Sequence, residues 1–165
     1  MASANARLRD EYIARAIDER LYANGVVRRV IVALNRADSR LAAALAEALD
    51  RLPADSFTVE RLEAMLSSVR ALNAQAHAAA MAELQSGMQG MARAAVAGQQ
   101  AALTTAIPAA VLAQQPLVGM AWEAAYAAAL SRPFQGRLLS GWAANVEAGR
   151  MTAIRNAIRQ GYMDG

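Results

Sequence analysis

The residues that could do chemistry are few, and most of them are arginine. All 17 basic residues are Arg and none is Lys, against 14 acids, one His and no Cys. Without cysteine there is no disulfide, no thiolate nucleophile and no cysteine zinc site. His77, in NAQAHAAAM, has no second His or Cys to share a metal with, and Glu83 six residues on falls on a different helical face. A surface or groove position is therefore the expectation for it. No glycine-rich phosphate loop, Ser/His/Asp set or metal-ligand spacing is present, so the residues point to no enzymatic activity and no cofactor.

The acidic pairs Asp10-Glu11 and Asp18-Glu19 interleave with Arg7, Arg9, Arg15 and Arg20. Helical spacing would set Asp10 against Arg7 and Glu11 against Arg15, a self-paired solvated face rather than an acid/base dyad. Further on the balance changes. Residues 71–131 hold only Arg93 against Glu83 and Glu123, while residues 132–165 hold five Arg against Glu147 and Asp164. The net +3 of the chain is therefore concentrated at its C-terminal end. Arg137, Arg155 and Arg159 form the candidate partner-binding face, since planar guanidinium groups make bidentate contacts to carboxylate or phosphate that an ammonium does not.

The elements that must position these groups are helices. Leu8, Ile13, Ile17 and Leu21, then Val27, Val30, Ile31, Leu34, Leu41, Leu45, Leu49 and Leu52, recur mostly at steps of three, four or seven, the spacing of an amphipathic helix. Asn24-Gly25 predicts a kink or short break, and Pro53 the end of the element. Thr58 is the expected N-cap of the next helix, with Phe57 and Leu62 placed as a hydrophobic staple. That helix runs on toward Gly98. Gly90, Ala94 and Gly98 follow at four-residue spacing, which in water serves close pairing of alanine-lined helices and in a bilayer helix association. Met81, Met88 and Met91 add adaptable packing surface.

Residues 104–116 contain Pro108 and Pro116 and predict a broken connector with one short helix. A helix from Leu117 to about Leu130 and a final one from Leu138 follow, with Gly161 and Gly165 as end signals. Between them lies RPFQGRLLSGW. Pro133 turns Arg132 out of helical angles, Gly136 admits backbone angles closed to other residues, and Phe134 and Trp142 are placed to pin the corner. No alternating strand pattern occurs. The expected fold is all-α: an elongated long-helix, coiled-coil-like hairpin over residues 1–103, then a Pro-broken connector and C-terminal helical hairpin over 104–165, the two parts readable also as one continuous domain. No uninterrupted apolar run of membrane-spanning length and no apolar signal segment appear, so a soluble protein of the cytoplasm is expected.

The corner and the helix after it resemble a known family. Arg132, Pro133, Phe134, Gly136, Arg137, Leu138, Leu139 and Trp142, then Ile154, Arg155, Ala157, Ile158, Arg159 and Gly161, are similar to a run in the phage Mu F-like minor head proteins, the head morphogenesis proteins of tailed bacteriophages. RVIVALNRADSRLAAAL and LPADSFTVERLEAML resemble the helical N-terminal region of the same proteins. Family members continue well past the position matching Gly161 to Gly165. The resemblance implies a structural minor capsid protein, inside the virion and near the portal, with host cytoplasm as the site of assembly. It implies as partners the portal protein, other virion proteins, further copies of itself and packaged DNA, and a role in head morphogenesis and DNA packaging or delivery. It carries no catalytic residues. An alternative expectation is an internal DNA-ejection protein whose helices rearrange into a conduit across the host envelope, the only reading in which a membrane is a partner.

Overall fold

A computed structural model describes the backbone of residues 4–50, 59–133 and 135–163, and the side chains of most of these. The chain is 89% helical with no strand among the described residues. Five helices follow in order: α1 (Ala4–Asp50), α2 (Val59–Ala106), α3 (Ala109–Gln114), α4 (Trp122–Ser131) and α5 (Leu139–Met163). The two long ones have 47 and 48 residues, and they pack against each other. The all-α expectation of paired long helices with a helical C-terminal part holds. Pro53, Phe57 and Thr58, and with them the expected helix end, cap and staple, lie outside the described residues, as do Phe134 and Gly165.

Three departures at helix ends have local causes. α1 passes through Asn24-Gly25 without a break. An interior glycine costs about 1 kcal/mol of helix propensity, but the next residue, Val26, is buried, and tertiary packing overrides that preference. α4 begins at Trp122 instead of Leu117. The intervening residues, Pro116 and Gly119 among them, are non-helical, and Ala121 is extended (φ −66°, ψ 138°). Its carbonyl accepts the first helical bonds from the Ala124 and Ala125 N–H groups at 3.1 and 3.3 Å. At the other end of the chain, α5 continues through Gly161 to Met163, so that glycine is not a stop.

The contacts group the chain into two compact units: residues 1–28 with 83–133, and residues 29–82 with 134–165. In the first unit α1 and α2 meet through small residues. A Cβ on Gly87 would lie 2.5 Å from a methyl of Val26, one on Gly90 would strike the Tyr22 hydroxyl, and one on Gly98 would lie 3.3 Å from the Arg15 side chain. Moving toward the start of α1 moves toward the end of α2, so the pairing is antiparallel. The glycines predicted to permit close helix pairing do so here, as far as Gly90 and Gly98 are concerned.

The face that α1 turns to this seam is not the one its large aliphatics mark. Ile13, Ile17, Leu21, Val27 and Ile31 are all exposed. Among the described residues the buried hydrophobics are Val26, Leu41, Val69, Ala76, Ala80, Ala102 and Ala106. Four of these seven are alanine. Close approach of helix backbones, rather than burial of bulky side chains, is what joins the long pair.

In the second unit, α5 lies against α2 and α1. His77 Nε2 donates to the Ala143 carbonyl at 2.9 Å, and Arg150 donates to the Asp38 carboxylate. Asn73 is buried among the apolar residues of this unit at 2% exposure, and its side-chain nitrogen has no partner among the described residues.

Candidate interaction surfaces

The C-terminal arginines are distributed by the corner and by α5. Arg132 ends α4 in extended geometry (φ −83°, ψ 122°), as the following proline requires. Gln135 and Gly136 both take positive φ, 48° and 79°. Gly136 does so at no steric cost, while for Gln135 the left-handed region costs about 1–2 kcal/mol. This pair forms a turn, and the Leu138 carbonyl then accepts N–H bonds from Gly141 and Trp142 at 3.0 and 3.1 Å, opening α5.

Arg137 therefore sits at the corner. Its guanidinium carbon is 5.8 Å from the centre of the Trp142 ring, within reach of a cation–π contact, and the side chain remains exposed. Trp142 is half-buried. Arg155 is exposed on α5, about 24 Å from the start of the helix at ~1.5 Å per residue. Arg159 lies on α5, with its side chain outside the described set. Arg150, on the same helix, is turned to Asp38. The basic excess is thus a spaced series along α5 in place of one converging pocket. It could contact an extended anionic surface at several points.

His77 is a tie between helices. A carbonyl oxygen can only accept, so Nε2 carries the proton directed at Ala143. The Glu147 carboxylate stands 3.5 Å from Nδ1. Asp38, Arg150, Glu147 and His77 link α1, α5 and α2 within the second unit. The sequence signal for this was the position of Glu147 and Arg150 one turn apart, which spacing alone does not connect to a histidine 70 residues away.

In the first unit Trp122 was not singled out by the sequence, yet the Arg93 guanidinium lies 3.9 Å from its ring centre. Arg93 is the lone arginine of residues 71–131, and it spans from α2 to the first residue of α4. Nearby, an open groove of about 340 Å³ runs beneath the extended connector, lined by Val96, Gln100, Leu103, Leu117 and Met120. A second groove of about 340 Å³ lies along the α1–α2 seam, with Glu11, Arg15, Asp18 and Glu19 at its edge and Ala94, Gly98 and Ala102 as its floor. Here the ion pairs differ from expectation. Arg15 donates to Glu19 at 2.9 Å instead of to Glu11, and Asp10 is held by its neighbour Arg9 at 3.1 Å instead of by Arg7. Both choices leave the side chains lying along α1. Among the described residues no group of three or more His, Cys, Asp or Glu is placed to hold a metal ion.

Comparison with protein-family models, with curated proteins and with solved structures found no match to the chain. No helix among the described residues is long and apolar enough to cross a membrane.

Proposed function

We propose that the protein is a structural minor component of a tailed-phage head, set near the portal in several copies, where it aids head morphogenesis and DNA packaging or delivery. The observation that carries this reading is the resemblance of residues 132–161 to the phage Mu F-like minor head proteins. Two features of the molecule support the structural character of the role. Among the described residues the buried hydrophobics are mostly alanine, and glycines of α2 lie against α1, which suits a protein completed by assembly. The exposed arginines are spaced along a helix in a way that fits a protein or nucleic-acid surface better than a small molecule. Partners are then the portal protein, other virion proteins, further copies and packaged DNA, the location is inside the capsid, and no catalysis is involved.

The test is genetic. Removing the gene from a phage that carries it should yield heads that are missing, malformed or short of DNA, with restoration by the chain supplied in trans. Particles of normal number, shape and DNA content would overturn the reading.

A second reading, an internal ejection protein that rearranges into a conduit across the host envelope, is favoured by one observation: Ile13, Ile17 and Leu21 face outward on α1 and could enter an apolar medium after rearrangement. Leakage of dye from liposomes on addition of purified protein would support the conduit. Intact liposomes would leave the structural role.

A further inference from the structure

We infer that the outward face of α1 in the first unit is the contact surface for a second copy of this chain, packed antiparallel about a two-fold axis near Glu19. The inference stands on the surface itself and is independent of the virion reading.

The face is rich in aliphatics where solvent would favour polar groups. Ile13, Ile17, Leu21 and Val27 are 55%, 56%, 64% and 54% exposed. At about 100° per residue they fall within one third of the helix circumference. The seam with α2 is made by Arg15, Tyr22 and Val26, on the opposite side. α1 therefore carries two contact faces, one of small and mixed residues already used, and one of branched aliphatics with nothing against it. Isolated exposed aliphatics are ordinary, but a stripe of them on one face marks an association surface.

Charge complementarity selects a second copy and its direction. Asp10 and Arg28 stand eighteen residues apart, about five whole turns, so they lie on the same edge of the stripe. A two-fold axis crossing the helix midway between them puts Asp10 of each copy against Arg28 of the other, twice. The same axis sets Ile17 against Leu21. Arg28 is exposed and has no partner among the described residues. Among the described residues Asp10 is engaged only by its neighbour Arg9, both largely exposed, a pairing that costs little to exchange. Besides Asp10 and Arg28, the polar side chains Arg9, Arg20 and Asn24 share the face. Asn24, exposed at the middle of the stripe, falls opposite the small Ala14 of the other copy under this axis, and a lone polar residue in such a seam holds the register. Arg20, toward the other edge, lays its stem along the aliphatics and keeps its charge in solvent.

Sedimentation equilibrium of the full chain should give a particle of twice the 17.5 kDa chain mass. The double variant Ile17→Glu, Leu21→Glu should sediment as a monomer with unchanged helical circular dichroism, since both side chains are outside the α1–α2 seam. Direction is read with single cysteines, which the cysteine-free chain permits. Asp10→Cys mixed with Arg28→Cys should form a disulfide on mild oxidation, and either variant alone should not. A monomeric parent chain, with or without binding to vesicles of anionic lipid, overturns the inference. So does a dimer that survives the double glutamate variant, or one in which Asp10→Cys crosslinks to itself as readily as to Arg28→Cys. Loss of the dimer would leave the virion reading standing if the chain is still found in particles, so the two fail separately.

Discussion

His77 on α2 holds the Ala143 carbonyl of α5 at 2.9 Å across 66 residues of sequence, and Glu147 one turn further along α5 faces the other ring nitrogen at 3.5 Å. Of the described contacts in the second unit, these and the Arg150–Asp38 pair fasten α5. His77→Ala should therefore cost about 1–2 kcal/mol, the loss of a part-buried hydrogen bond to the backbone. Glu147→Gln should cost ~0.5 kcal/mol or less, because that pair is partly open to solvent. Denaturant unfolding of both variants checks the order. Equal effects would mean that the bond to Ala143 contributes nothing.

Glycine positions should separate sharply. Gly87→Val places branched carbon where Val26 already sits, 2.5 Å from even a Cβ, and should lower stability by about 3 kcal/mol or more through overpacking. Gly149→Ala on α5 meets nothing within 4 Å, and should raise stability by ~0.5–1 kcal/mol through helix propensity. Melting curves of the two variants should move in opposite directions. A tolerated valine at position 87 would show that the helices are further apart than described.

Asn73 presents a buried side-chain nitrogen with no partner among the described residues. Leaving such a group unsatisfied costs about 1–3 kcal/mol. Asn73→Leu should accordingly raise the melting temperature while weakening the choice of helix register, as a buried polar residue does in coiled coils. The register is readable from amide exchange, which should spread to more of α2. A lower melting temperature would mean that Asn73 has a partner in solution.

The Arg93 guanidinium over Trp122 at 3.9 Å should be worth about 0.5–2 kcal/mol. Arg93→Ala should shift Trp fluorescence and loosen the start of α4, and Arg93→Lys should recover part of the loss. Unchanged fluorescence in Arg93→Ala would place the ring elsewhere.

The triple variant Arg137→Ala, Arg155→Ala, Arg159→Ala tests the C-terminal face. If DNA is the contact, the parent chain should bind with an affinity that falls steeply with salt, about 0.9 in log–log slope per neutralised phosphate, and the variant with a shallower slope. If the portal is the contact, binding should be less sensitive to salt and should be lost also on Arg→Lys, which abolishes bidentate pairing. The portal is the expected outcome, since a net charge of +3 is small for a dedicated DNA binder. Normal incorporation into heads together with unchanged gel shifts would show that these arginines only solvate the helix.

Helical class, the proline-broken connector with its short α3, and the Arg132–Pro133 corner were legible because each rests on local chemistry: period 3.6, the missing proline N–H, and glycine at positive φ. Which face of α1 is buried was not. Hydrophobicity pointed to Ile13, Ile17 and Leu21, but a helix pair joined through Gly87, Gly90 and Gly98 gains from backbone proximity, which a count of large aliphatics does not register. The stop at Gly161 failed for the reason Asn24-Gly25 did, since a glycine weakens a helix by an amount that neighbouring contacts readily offset; the start at Leu117 failed the other way, because the stretch holding Pro116 and Gly119 stays out of helix up to Trp122. The His77 and Arg93 contacts join residues distant in sequence, and one chain alone offers no periodicity that links them. The arginine series could be read as a charge excess, but the withdrawal of Arg150 to Asp38 depends on how α5 is docked.

Quantitative mass spectrometry of purified particles tests most directly whether this chain is a built-in part of a phage head. Particles of a phage carrying the gene, banded to homogeneity, should contain the chain in several copies each, at a fixed ratio to the portal protein, in both DNA-filled and emptied heads. Its absence from particles, while it is abundant in the infected cell, would contradict the account.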